Sequence, residues 1–221
     1  MIDTHAPSQN DVYLDMRNRL ISGAFSPGQK LMPNRLKADY NTSASTIREI
    51  LFRMSCEGFV DFQEQRGFRC PQSSEQKLLE LTHLRILLEC EGAAGSIRNG
   101  DVEWEAQLNA SHHKLAHIES KMKSSDDITP FVAVWSRSDW EFHQRLISAC
   151  GSSLLIETHR GIYDRFRQQV VSELRTFGFR AETIPEHKAI LDAALQRDIP
   201  GCTKAIEDHL RVYRDHVAGK G

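Results

Sequence analysis

The chain has 221 residues, 40% of them hydrophobic and 26% charged, and a net charge of −2. That length suits one large or two small domains, and the apolar and charged fractions exclude a globally disordered chain. The near-zero charge excludes a histone-like polycation, although a balanced total can hide a local basic patch. Five scattered cysteines form no CxxC motif. They fit reduced thiols in a cytoplasm rather than a disulfide framework or a cysteine-based zinc site. The longest uncharged apolar stretch, Phe131–Trp135, falls far short of the ~20 residues of a membrane span. The N-terminus has neither the basic nor the apolar segment of a signal peptide. A cytoplasmic protein without membrane attachment is expected.

Taken in chain order, Val12, Tyr13, Met16, Leu20 and Ile21 have the spacing of a first helix, ended by Gly23 and the turn Ser26-Pro27-Gly28. Pro33 opens a second short helix, with Leu36 and Tyr40 inward. Asn41-Thr42-Ser43 offers capping oxygens to a third, whose stripe is Ile47, Ile50, Leu51 and Met54 and whose stop is Gly58. Phe59–Phe62 and Phe68–Cys70 read as two strands around Gln63–Gly67. Pro71-Gln72-Ser73-Ser74 separates this region from the next, so the expected domains are 1–73 and 74–221. The first holds 9 Lys/Arg against 8 Asp/Glu, the second 19 against 22, so the net charges are +1 and −3. The second region is helical throughout, with 3.6-residue periodicity over 75–99, 101–123, 129–149, 152–177, 183–197 and 200–217. The fold class is therefore mainly α.

Three short helices and a hairpin make a winged helix-turn-helix pattern. Opposite its apolar stripe the third helix carries Ala44, Ser45 and Arg48. Small residues at a helix start allow close entry into a major groove, and an arginine there can pair with guanine or phosphate. Arg66 and Arg69 flank Gly67 in the hairpin and could touch backbone or minor groove. The same pattern is compatible with a plain structural domain bearing solvated arginines.

Nine of the ten histidines follow residue 74. Asp139 and His143 are spaced i, i+4 and stack on one helix face beside Trp135, Phe142 and Leu146. His187 shares the inward phase of Ile190 and Leu191, and His209 that of Ala205, Ile206, Val212 and Tyr213. Four polar groups from three helices thus face an apolar interior, where each unpaired group costs on the order of 1–3 kcal/mol. A divalent metal would satisfy all four, and three imidazoles with one carboxylate suit Zn²⁺, with Ni²⁺ or Mn²⁺ as alternatives. The competing reading is a set of separate hydrogen-bonded core histidines. His113 and His117 are also i, i+4, but their neighbours are polar and they read as solvated. His159 and His216 are left out of the set, and Glu141 and Glu186 flank ligands but are expected to point elsewhere by helical phase.

Specific motifs carry a resemblance. Residues 10–70 contain Ser26-Pro27-Gly28-Gln29-Lys30-Leu31, then Thr42-Ser43-Ala44-Ser45-Thr46-Ile47-Arg48-Glu49-Ile50-Leu51, then Glu57-Gly58-Phe59-Val60 and Arg66-Gly67. This resembles the DNA-binding domain of the GntR family of bacterial transcription regulators. Residues 78–217 contain Leu84-Arg85-Ile86-Leu87-Leu88-Glu89, Asp139-Trp140-Glu141-Phe142-His143, Glu186-His187-Lys188-Ala189-Ile190 and Ala205 to His209-Leu210. This resembles the FCD ligand-binding domain of the FadR-type branch. Two departures stand out: Ala44 where the family usually has arginine, and Thr46 where it often has proline.

The resemblance implies a homodimeric transcription regulator of the repressor kind, not an enzyme. It would bind double-stranded operator DNA through Arg35, Ser43, Ser45, Thr46, Arg48, Arg66 and Gly67. It further implies a divalent metal on Asp139, His143, His187 and His209. Arg85 would face a small organic acid effector, a (di)carboxylate bound near the metal. Two alternatives stand beside this reading. One is a metal-dependent enzyme built on the three histidines and Asp139, and the other is a regulator whose metal is purely structural.

Overall fold

The computed structural model describes residues 7–177 and 179–218. Its packing divides into two compact units, Met1–Ser73 and Ser74–Gly221.

The first unit begins with α1, Gln9–Ile21, which opens on a reciprocal cap between Ser8 and Asp11. β1, Lys30–Leu31, and α2, Pro33–Asp39, follow, with Pro33 in the first turn of α2. α3, Ala44–Cys56, is capped by Ser43, whose Oγ accepts the Thr46 N–H at 3.0 Å. β2, Asp61–Gln63, and β3, Gly67–Arg69, form the hairpin, with Gly67 at φ 74°. The antiparallel sheet has the order β1-β3-β2, pairing Lys30 with Arg69 and Phe62 with Phe68. The sequence expectation omits β1, because two residues are too short to display alternation. Phe59 and Val60, expected in the strand, are buried core residues just before it. The core is closed by Val12, Met16 and Leu20 of α1 and by Ile47, Ile50, Leu51 and Met54 of α3.

The second unit is a bundle. α4 covers Glu75–Asn99, α5 Val102–Lys123, α6 Val132–Leu146, α7 Ser153–Phe177, α8 Thr183–Leu195 and α9 Ile199–Ala218, with a 3₁₀ turn at Thr129–Phe131. α4 packs on α7 and α9, α5 on α6 and α8, and α8 on α9. Ser74 caps α4 and Asp101 caps α5, accepting the N–H groups of Lys77 and Trp104. Two glycines set one close approach. A Cβ at Gly95 would stand 3.0 Å from the Cys150 backbone, and one at Gly92 would stand 2.8 Å from Ile147. Bare backbone on α4 thereby admits residues 147–150 and draws the end of α6 against α4. Among the described residues no helix is long and apolar enough to cross a membrane.

Candidate metal centre and nucleic-acid interface

Three helices deliver three imidazoles to one point. His143 comes from α6, His187 from α8 and His209 from α9. All three are buried, and each offers a ring nitrogen within 4.8 Å of the others. The ring centroids lie 5.5 Å apart for His143 and His187, 5.4 Å for His143 and His209, and 4.5 Å for His187 and His209. Asp139 sits one turn before His143, with its Oδ1 3.4 Å from His187 Nε2. Its Oδ2 accepts the Tyr163 hydroxyl and lies 3.6 Å from Arg167 Nη1. The structure thus brings the four expected residues together, with Asp139 beside the triangle of histidines rather than within it.

Each histidine is backed by a carboxylate at Nδ1. Glu89 Oε2 lies 3.0 Å from His143, Glu119 Oε1 3.0 Å from His187, and Glu186 Oε2 2.9 Å from His209. The first two contacts are at ion-pair distance but bent, so Nδ1 makes no straight hydrogen bond there. The Nε2 atoms of His143 and His187 also have no hydrogen-bond partner although fully buried. Buried ring nitrogens are normally satisfied. A carboxylate on one imidazole nitrogen with the other facing a shared point is the arrangement of metal-ligating histidines.

This corrects the expected placement of Glu186. By α8 phase alone it points away from His187, but α9 carries His209 up to meet it. His159, left out of the ligand set, is not one of the three converging histidines but lies close behind them. His159 is buried, stacks on Trp140, and contacts Glu89 Oε1 through Nε2 at 2.8 Å. Glu141 does point away, to Lys114 at 2.9 Å. His113 and His117 are exposed as expected, while the side chain of His216 lies outside the described residues.

Electrostatics follow from burial and these partners. Burial alone would raise the Glu89 carboxyl, but Arg85 and His143 hold it well below the ordinary range. Burial acts likewise on Asp139, where Arg167 and His187 prevail and keep it ionised. Burial lowers His143 and, with His187 and His143 beside it, lowers His209 much further. His187 goes the other way. Burial lowers it, but the Asp139 and Glu119 carboxylates close to its two ring nitrogens outweigh that and raise it to about 9.

Two buried arginines flank the centre. Arg85 Nε meets Glu89 at 2.5 Å, and its guanidinium lies over the rings of Tyr163 and Phe166. Arg167 lies 3.6 Å over the Trp135 ring. Nη2 of each has no hydrogen-bond partner and is buried.

In the first unit, Arg35, Ser45, Arg48 and Arg66 are exposed, and Thr46 and Gly67 half-buried. The exposed Ser43 hydroxyl serves as the α3 cap and lies 2.9 Å from the Thr46 hydroxyl, so the two fix each other's orientation. Ser45 and Arg48 line a cleft of about 610 Å³ between α3 and the hairpin.

Residues 8–70 match the family described as bacterial regulatory proteins, gntR family, and residues 80–212 match the FCD domain. The chain belongs to the GntR family. It is a DNA-binding transcriptional regulator with an FCD domain. It is 31% identical to the "Uncharacterized HTH-type transcriptional regulator BphR" of Paraburkholderia xenovorans, covering 88% of this chain and 79% of that one. It is 28% identical to the "HTH-type transcriptional repressor GlaR" of Escherichia coli, covering 90% and 91%. The fold is also that of Escherichia coli McbR/YncC, with a TM-score of 0.79 at 19% identity over 96% of this chain and 97% of the other.

Glu89, Glu119, Tyr163 and Arg167 are the site residues that sequence reasoning passes over, and His159 is one that it weighs and leaves out. A signal existed for two of them. Glu89 lies i+4 from Arg85, and Glu119 continues the inward stripe Leu108, Ser111, Leu115.

Proposed function

We propose that this regulator is an acid-responsive repressor whose bundle holds a divalent metal, most simply Zn²⁺, on Asp139, His143, His187 and His209. The observation that carries the reading is the convergence of three buried imidazoles, each backed by a carboxylate, with Nε2 of His143 and His187 making no hydrogen bond and Asp139 Oδ1 3.4 Å from the latter. The metal would supply positive charge and an open coordination position for a carboxylate oxygen. Around it the chain's own residues do the rest. Glu89, Glu119 and Glu186 orient the rings from behind, and Tyr163 and Arg167 hold the Asp139 carboxylate. Arg85 and Arg167 each keep a buried N–H without a partner, so two guanidiniums are available to anionic oxygens. That favours a small dicarboxylate over a monoacid. An enzymatic reading is not favoured, since both matched domains are those of regulators.

At the DNA end, Ser45 and Arg48 of α3 would enter the major groove. Ser43 and Thr46 would set the start of the helix, Arg35 would meet phosphate, and Arg66 with Gly67 would approach as the wing. A two-fold homodimer would read inverted half-sites in the cytoplasm. Leu84 and Leu87 of α4 and Leu154 of α7 are 42%, 53% and 72% exposed, which supports a surface covered by a second copy. An acid can shift operator binding only through its different affinity for the two states.

The test is metal analysis of the purified protein beside a His187→Ala, His209→Ala double variant, with thermal unfolding followed as dicarboxylates are added. The expected result is loss of metal in the variant and an acid-dependent rise in midpoint in the wild type alone. Unchanged metal content in the variant sinks the site.

A further inference from the structure

The α3 face that carries Ser45 and Arg48 continues into an apolar group. Glu49 and Phe52 follow on the same stripe, and all four residues line one cleft with Phe62 and Phe68 of the hairpin. Phe52 is 53% exposed and Phe62 44%. The rings are not loose. Phe52 stands edge-on to Phe62 at 6.0 Å and 79°, and Phe62 packs on Phe68 at 4.8 Å. A supported aromatic ladder that ends in an open face is built to be covered.

Its position says by what. Phe52 lies i+4 from Arg48 and i+7 from Ser45, so it projects from the same side of α3 as they do. A helix in the major groove meets hydrogen-bonding base edges almost everywhere. The one apolar group displayed there is the 5-methyl of thymine. Charge does not mark the cleft for phosphate, because Glu49 and Glu64 offset Lys30 and Arg48 in its lining, and an exposed aromatic ring offers phosphate no hydrogen-bond donor.

We infer that Phe52 is a specificity-determining residue that packs against the 5-methyl group of a thymine in each operator half-site, with Phe62 holding the ring in place. The inference rests on the reading of α3 as the helix that enters the groove.

The full-length protein first enriches a duplex from a randomised library. That duplex is then made with thymine, or with deoxyuridine at the half-site thymines, which deletes only the methyl groups. Affinities are compared at one salt concentration for wild type, Phe52→Ala and Arg48→Ala. Wild type should bind the deoxyuridine duplex about fourfold more weakly for each half-site changed, about fifteenfold for both. Phe52→Ala should bind the two duplexes equally, at an affinity near that of wild type for the deoxyuridine form. Arg48→Ala should weaken both duplexes. If Arg48→Ala binds like wild type, the α3 reading fails and the inference fails with it. If Arg48→Ala weakens binding but wild type does not distinguish the duplexes, or Phe52→Ala still does, the inference alone is overturned. Half-sites enriched without thymine overturn it as well. The wild-type comparison involves no variant, so the outcome does not hinge on how Phe52→Ala folds.

Discussion

Glu89 Oε2 lies 3.0 Å from His143 Nδ1, and neither side chain reaches solvent. The same carboxylate holds Arg85 at 2.5 Å and His159 at 2.8 Å. One buried anion thus joins the proposed acid site to a proposed metal ligand. Glu89→Gln keeps the volume but removes the charge, leaving the Arg85 guanidinium uncompensated. Breaking a buried pair by removing one partner costs about 3–5 kcal/mol. Loss of an outer carboxylate typically weakens metal affinity about 10–100-fold. Urea unfolding and metal titration should register both effects. A Glu89→Gln protein with wild-type stability and metal affinity would show that Glu89 is dispensable.

Metal uptake should depend on pH through His187. A ligand must be neutral to bind, and His187, raised to about 9 in the metal-free chain, is charged below that value. Burial keeps His143 and His209 neutral near pH 7. One proton should therefore leave per metal bound. Apparent affinity should rise about tenfold per pH unit up to about 9 and then level off. Calorimetric titration in buffers of different ionisation enthalpy measures the proton count directly, and a count of zero contradicts this assignment. The stability that His187 adds to the metal-free fold runs the same way. Its folded-state value exceeds its unfolded one, so that contribution is full below about 6.5 and lost as pH rises through about 9.

Arg48→Ala should weaken operator binding by roughly 1–3 kcal/mol if its guanidinium pairs with a guanine, with relaxed preference at that base. If it meets a phosphate, the loss is uniform over sequences and the slope of log affinity against log salt becomes about one unit shallower per protomer. Titrations at three salt concentrations separate the two cases. Binding identical to wild type in every condition rules out both.

Leu87→Glu should split the proposed dimer. The residue is 53% exposed, so the change costs the isolated bundle little, whereas a charge in a paired apolar surface is unfavourable. Light scattering should report a monomer and the operator affinity should fall. A dimer that survives Leu87→Glu and Leu154→Glu together must pair through another face.

Much of this was legible in the sequence, for identifiable reasons. The six bundle helices declare themselves because a buried stripe repeats every 3.6 residues, and Asp139, His143, His187 and His209 read as inward by the same rule. The carboxylates behind them were less visible. Whether Glu186 faces His209 depends on how α8 and α9 cross, which no single-helix phase contains. Arg167 and Glu119 are charged, and charge ordinarily marks a solvated face. They are buried here because Asp139 and His187 pair with them, and although Glu119 falls on the inward stripe of its helix, the partner that lets a charge stay there lies on a distant segment. β1 escaped for a different reason, since its two residues are defined only by their ladder to β3.

α4 has a consequence of another kind. It runs without a break from Glu75 to Asn99, and its leading residue, Ser74, donates its N–H to Gln169 at 3.1 Å. Arg85 and Glu89 lie on this rod, the nearer of them ten residues, or about 15 Å, from its start. A helix resists compression, so a displacement of the helix at Arg85 would be carried along its axis toward the chain's linker. On the proposed function, an acid that displaced Arg85 would need no relay of rearranged side chains, because one stiff strut would report the displacement at its end.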